Sequence, residues 1–194
     1  PRVRRQRQMC IRDSLNTLRN RAYQNACDHG FHDRELSDNH CFMLVITELS
    51  EAVEADRKGR RADKAEFESV VSSNSDHMSE AFVDAFERLV KDTVEDELAD
   101  TVIRMLDMAG LRGINLNGIF IVAYIVSRKK SFTENCYVII KDIVNYKYTT
   151  EECLNYAIRQ VFELAEFYDM DLEWHIEQKM KYNEHRGKMH GKKY

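Results

Sequence analysis

The sequence predicts an all-α fold, a helical bundle of five to seven helices in one domain spanning residues 1–194. The chain has one proline and seven glycines among its 194 residues, about a tenth and about half of their ordinary usage. Proline and glycine disfavour helix interiors most strongly, so their scarcity permits long helices. Hydrophobic residues at 43% and charged residues at 32% are typical of a domain that buries a substantial core.

Apolar residues recur at intervals of three and four, which is the spacing of one helical face. The first such stripe covers residues 15–30, and a polar connector at 31–39 leads to a second helix at 41–59. Residues 60–78 are charged and then serine-rich, which predicts an inserted loop that could include a short helix. From residue 79 one continuous helical pattern runs to residue 110.

Helix-start signals organise the last third of the chain. Ser131 with Glu134, and Thr149 with Glu152, match the reciprocal capping box that satisfies free backbone donors at a helix start. Asp171 is a suitable N-cap for a final helix. The β-branched stretch at 137–144 leaves a strand as the alternative in this region.

Cysteine usage and hydropathy bear on the compartment. The five cysteines are at least 14 positions apart and form no C-x-x-C pair, so we expect a reduced, cytoplasmic protein without a zinc cluster. The longest apolar run, at 119–126, has eight residues, far fewer than the ~20 that cross a bilayer. We therefore expect no membrane partner.

Charge is unevenly distributed along the chain. Residues 1–22 carry seven arginines against one acid, residues 174–194 are also basic, and the middle of the chain is acidic. This arrangement suits a site that holds a cation together with an anionic ligand, and it equally suits a solvated surface.

Common catalytic motifs are absent, which leaves carboxylates as the candidate chemistry. The sequence lacks the phosphate-loop, dinucleotide-binding and H-E-x-x-H patterns, and no glutamate has a histidine three positions later. Acidic pairs at i, i+3 share one helical face; about six are expected by chance and nine occur. A single pair therefore carries little information.

Two of these pairs lie on or beside apolar stripes that should face the core. They are Glu48 with Glu51 and Glu97 with Asp100. A buried, unpaired carboxylate costs several kcal/mol, so four of them call for cations. Oxygen ligands without histidine or thiolate suit Mg²⁺ or Mn²⁺. The alternative is ordinary salt bridges, for which the candidate partners are Arg57, Arg104 and Lys91.

Three motifs in chain order resemble a known family. They are E-x-x-E at 48–51, E-x-x-D at 97–100 and K-x-x-Y-N-x-x-R at 179–186. Together they resemble the MazG-like nucleotide pyrophosphohydrolases of the all-α NTP pyrophosphatase superfamily. The resemblance covers about residues 30–59, 94–115 and 171–187, which is less than half of the chain.

The resemblance implies an all-α NTP pyrophosphatase fold and a Mg²⁺-dependent enzyme that hydrolyses nucleoside or deoxynucleoside triphosphates to monophosphates and pyrophosphate. It implies a homo-oligomer, a dimer or tetramer whose sites are commonly completed by a partner subunit, and it makes a nucleic-acid partner unlikely. The implied metal ligands, one of which could act as the base, are Glu48, Glu51, Glu97 and Asp100.

The third motif is implied to bind substrate. Lys179, Asn183 and Arg186 would reach the phosphates or the nucleotide, and Tyr182 belongs to the same motif. Tyr182 and Trp174 are also typical packing residues.

Residues outside the motifs carry weaker expectations. Phe31 and His32 lie where the family often places aromatic residues near the base, although a loop that docks on the bundle would explain them as well. We expect His175 and His185 on the surface.

Two departures from the family pattern leave other functions open. Forty-five residues separate the two acidic pairs, and a second insertion covers about 115–170. One alternative is a non-catalytic helical binding module whose basic segment at 2–21 contacts nucleic acid or an acidic partner. Another is a structural bundle in which the acids form internal salt bridges.

Overall fold

The computed structural model describes residues 2–73, 78–116, 127 and 129–191, and it confirms the all-α prediction. The described part of the chain contains eight α-helices, one more than the predicted maximum. They are α1 (Arg2–Asp28), α2 (Asp38–Arg57), α3 (Lys64–Ser73), α4 (Met78–Leu89), α5 (Val94–Leu111), α6 (Phe132–Val144), α7 (Thr150–Phe167) and α8 (Leu172–Glu184), followed by a 3₁₀ turn at Lys188–Gly191.

Helix α5 is the central element of the fold. It packs against α1, α2, α7 and α8, and Leu98, Val102 and Met105 on it are fully buried. Such a helix is apolar on more than one face, which explains why its two carboxylates at Glu97 and Asp100 lie so close to the core. The helices that pack against α5 therefore surround its two carboxylates.

The predicted caps are present. Ser131 and Thr149 form the two capping boxes, and the side chain of Asp171 accepts a hydrogen bond from the backbone of Trp174 at the start of α8. Because α6 continues through residues 137–144 as a helix, the strand alternative for that stretch is wrong. Helix α6 packs against α2 and α7, and Ile139 and Ile143 on it are buried.

The pattern at 79–110 is divided into two helices, so the prediction of one continuous helix is wrong. Asp92 has a left-handed backbone with φ of 59°, and Thr93 then caps α5 by accepting a hydrogen bond from the backbone of Asp96. Apolar spacing continues across this turn because Val90 and Val94 are both buried on either side of it. Periodicity alone therefore concealed the break.

The two predicted insertions fold as helices. Within 60–78, ten residues form α3, which packs with α4; positions 74–77 lie outside the described residues. A second apolar core joins Phe67, Phe82 and Phe86 to Tyr182 of α8. The 115–170 insertion supplies α6 and α7, while the apolar run at 119–126 lies outside the described residues. No helix in the described part of the chain is long and apolar enough to cross a membrane.

Helices α1 and α5 approach each other closely at Gly110. A Cβ at this position would clash with the Cβ of Tyr23 and lie 2.9 Å from its Cγ. The Cβ of Tyr23 is fixed to the backbone of α1, so relief requires a shift of the helix itself.

We expect Gly110→Ala to lower the free energy of unfolding by about 1–3 kcal/mol, the usual cost of overpacking. Gly187→Ala is the matched control because a Cβ there meets nothing within 4 Å, and its effect should stay within about 0.5 kcal/mol. Urea unfolding followed by circular dichroism measures both. Equal stabilities of the two variants would contradict the proposed close contact.

Candidate metal centre

Three of the four predicted carboxylates meet between α2 and α5. One oxygen from each of Glu48, Glu97 and Asp100 lies within 4.8 Å of the others. Glu48 and Glu97 are buried and Asp100 is half-buried. The i, i+3 spacing places Glu97 and Asp100 on one face of α5, and α2 presents Glu48 to that face.

Glu51 is the predicted carboxylate that the structure leaves outside this cluster. It lies one turn after Glu48 on α2 and is exposed. Its charge nevertheless contributes to the raised pKa of Glu97, so it borders the cluster on the solvent side.

Glu97 carries the strongest electrostatic strain in the cluster. Burial, followed by the charges of Asp100 and Asp96, raises the pKa of Glu97 to about 9. Among the described residues, no lysine, arginine or histidine forms a salt bridge with Glu97. At neutral pH this carboxyl group therefore holds a proton or requires a cation.

The salt-bridge alternative holds in part for Glu48. Its Oε1 accepts a hydrogen bond of 2.9 Å from Nε of Arg104, and both side chains are largely buried. Arg57, another candidate partner, instead pairs with Glu54 at 2.7 Å. The cluster thus contains one arginine-paired carboxylate and one carboxylate, Glu97, without such a partner.

Lys179 enters the cluster from α8. Its Nζ lies 2.8 Å from Oδ2 of Asp96 and 2.9 Å from Oδ2 of Asp100. Burial raises the pKa of Asp96 to about 6, although Lys179 opposes the shift. Asp96 is not among the predicted site residues, although Thr93 three residues earlier has the spacing of a helix cap.

No protein-family model, curated protein or solved structure matches this chain. The resemblance to MazG-like enzymes therefore depends on the three sequence motifs alone.

A small cleft of about 50 Å³ opens beside Asp100 of the cluster. Asp100 belongs to both the cluster and the cleft wall, and Arg104 lies at the boundary between them. The ring of Phe31 lies 5.9 Å from Cζ of Arg104. Its lining includes Phe31, Asp100, Arg104, Asn183 and Arg186.

The third motif contributes to this cleft unequally. Asn183 and Arg186 line it, and Asn183 is buried with no hydrogen-bond partner for its Oδ1 among the described residues. A buried amide oxygen without a partner is costly, so a ligand donor in the cleft would stabilise it.

Tyr182 is a packing residue of the second core and lies outside the cleft lining. Its ring stacks on Phe86 with centroids 4.4 Å apart, and its hydroxyl donates a 2.7 Å hydrogen bond to Glu87. Trp174 packs edge-on against Phe67 at 5.3 Å. Both aromatic residues thus follow the packing interpretation.

The histidines differ from one another in environment. His32 lies near the cleft, with Nε2 2.7 Å from Asp107, a residue of the cleft wall. His185 is exposed as predicted, but the surface prediction for His175 is wrong. His175 shares the inward face of α8 with Lys179, because the two residues are one helical turn apart.

Burial of His175 makes the stability of the protein dependent on pH. Burial lowers the pKa of His175 to about 4, whereas in the unfolded chain it is about 6.5. Below pH 6.5 the unfolded chain therefore binds more protons at this site than the folded chain does. The contribution of this residue to the free energy of unfolding is fully present above pH 6.5. It declines as the pH falls towards 4, where the folded ring also takes up a proton.

We expect His175→Gln to flatten the loss of unfolding free energy between pH 6.5 and 4 by up to about 3 kcal/mol. His185→Gln, at the exposed C-terminal end of the same helix, is the matched control and should retain the slope of the unaltered protein. Denaturant titrations at half-unit pH steps measure the slopes. Parallel curves for all three proteins would show that His175 is not buried as a neutral ring.

Proposed function

We propose that this protein is a Mg²⁺-dependent nucleoside triphosphate pyrophosphohydrolase. Its substrates would be ribo- or deoxyribonucleoside triphosphates, and its products the monophosphate and pyrophosphate. The observation that carries the proposal is the cluster of Glu48, Glu97 and Asp100, with oxygens within 4.8 Å of one another, at the wall of a cleft that also contains two arginines.

The donor set fits a hard divalent cation. Three carboxylate oxygens from two facing helices suit Mg²⁺, and Mn²⁺ as a substitute. Glu97 has no cationic partner among the described residues, so a divalent ion would relieve its buried charge. When bound, the ion supplies Lewis-acid polarisation of a phosphate oxygen and lowers the pKa of a water molecule.

The cleft residues have roles that follow from their chemistry. Arg104 and Arg186 would neutralise the charge of a polyphosphate, since a guanidinium offers paired donors to phosphate oxygens. Asn183 would accept a hydrogen bond at its buried Oδ1 and donate from its amide nitrogen. Phe31 presents an aromatic ring beside Arg104 in the cleft wall, where a nucleobase could stack.

A homo-oligomer, dimer or tetramer, belongs to the same proposal. The MazG-like resemblance implies that a second subunit completes the site. Light scattering coupled to gel filtration measures the mass directly.

We expect Glu97→Gln and Asp100→Asn each to lower kcat/KM for the best nucleotide at least about 100-fold, because both remove a ligand charge that stabilises the transition state. Asp84→Asn, an exposed acid on α4, is the matched control and should retain full activity. A panel of nucleotides with Mg²⁺ is assayed for monophosphate and pyrophosphate. The absence of turnover with every nucleotide would refute the activity.

Metal binding has its own measurement. At a Mg²⁺ or Mn²⁺ concentration 100 times the dissociation constant, a ligand that binds only the folded state adds about 2.7 kcal/mol to its stability, so Tm should rise at constant ionic strength. Glu97→Gln should abolish this rise, while its Tm without metal stays near that of the unaltered protein, because Glu97 is then protonated. An equal rise in both proteins would place the ion elsewhere.

A further inference from the structure

We propose that Lys179 is a positioning residue that holds Asp100 in the metal cluster, with Asp96 as its anchor, and that Lys179 does not bind the substrate phosphates. The inference rests on the proposed function only in taking Asp100 as a metal ligand. It assigns Lys179 a different role from the one that the motif resemblance implies.

The geometry places Lys179 between two acids of one helix. Asp96 and Asp100 are four residues apart on α5 and so share a face. Nζ of Lys179 is 2.8 Å from Oδ2 of the first and 2.9 Å from Oδ2 of the second. The side chains of Lys179, Asp96 and Asp100 are 6%, 1% and 21% exposed, so solvent reaches only the acid of the metal cluster.

Lys179 is enclosed where a phosphate ligand would need access. The cleft is lined by Asn183 of α8 and by Arg186 just after that helix, and Lys179 is not part of its wall. To reach a phosphate in the cleft, the ammonium group would have to leave two carboxylates, one of them fully buried. That separation would leave a buried charge without compensation.

Asp96 has the properties of an anchor. Its backbone N–H donates to Oγ1 of Thr93, and its Oδ2 accepts a 3.0 Å hydrogen bond from the backbone of Asp92. Its Oδ1 has no hydrogen-bond partner among the described residues. Asp96 is therefore fixed by the first turn of α5 and depends on Lys179 for neutralisation of its charge.

The three residues form a chain of contacts that runs from Asp96 through Lys179 to Asp100. Asp96 is held by the backbone, Lys179 is held by Asp96, and Asp100 is held by Lys179 at the edge of the cluster. A carboxylate with a restricted side chain binds a metal ion with a smaller entropic cost than a mobile one does. Asp96 thus influences the metal site without belonging to it.

The test compares Lys179→Met and Asp96→Asn with Lys181→Met, an exposed lysine on the same helix. Calorimetric titration with Mg²⁺ or Mn²⁺ alone gives the metal Kd, and kinetics at saturating metal give the nucleotide KM and kcat. We expect both site variants to raise the metal Kd about 10-fold or more and to leave the nucleotide KM within about twofold. Lys179→Arg should recover part of the metal affinity.

Two results would overturn the proposal. A Lys179→Met variant with unchanged metal Kd and a raised nucleotide KM would identify a phosphate ligand. An Asp96→Asn variant with the metal affinity of the unaltered protein would show that Asp96 does not act as the anchor.

The double variant Asp96→Asn, Lys179→Met is a control for misfolding, since it removes both charges of the buried pair and leaves no unpaired charge in that pair. Its metal Kd should equal that of either single variant, as expected for residues that act through one another. Additive effects on the metal Kd would contradict the proposal. The metal titrations contain no nucleotide, so they decide this proposal even where no nucleotide is hydrolysed. An unaltered protein that binds neither ion overturns it.

Discussion

The packing of α2 against α5 is the contact on which the site depends. Each helix carries carboxylates beside a stripe of fully buried apolar residues, such as Leu49 on α2 and Leu98 on α5. Burying these stripes supplies the favourable free energy of the contact. Because Glu48 and Glu97 lie beside the stripes, the same contact forces them together in a medium that disfavours charge.

Two internal cations offset part of this concentration of negative charge. Arg104 from α5 pairs with Glu48, and Lys179 from α8 pairs with both Asp96 and Asp100. Glu97 is the acid that remains, with its pKa raised to about 9. If the acids formed only internal salt bridges, a buried glutamate without a cationic partner would cost stability and gain nothing in return. The burial of Glu97 therefore favours the metal-site interpretation over the purely structural one.

The sequence predicted those features that depend on local spacing. Helical periodicity, the capping boxes and the pairing of Glu97 with Asp100 all follow from residues within one or two turns. The missed features depend on tertiary contacts. Thr93 interrupts a pattern whose apolar spacing continues across the break, Lys179 lies inside a motif that looks like a solvated basic tail, and His175 is buried only because α8 turns that face towards α5.

The long gap between the two acidic pairs is compatible with the site because the intervening segment begins and ends at neighbouring positions in the structure. The backbone N–H of Asp63 donates to the carbonyl of Leu89 at 3.0 Å, and that of Val94 donates to the carbonyl of Arg60 at 3.2 Å. These bonds hold the two ends of the intervening segment together, so α3 and α4 form a separate helical pair whose apolar core is completed by Tyr182 of α8. The added length therefore extends the molecule sideways, while α2 and α5 keep the relative position that brings Glu48 to Glu97.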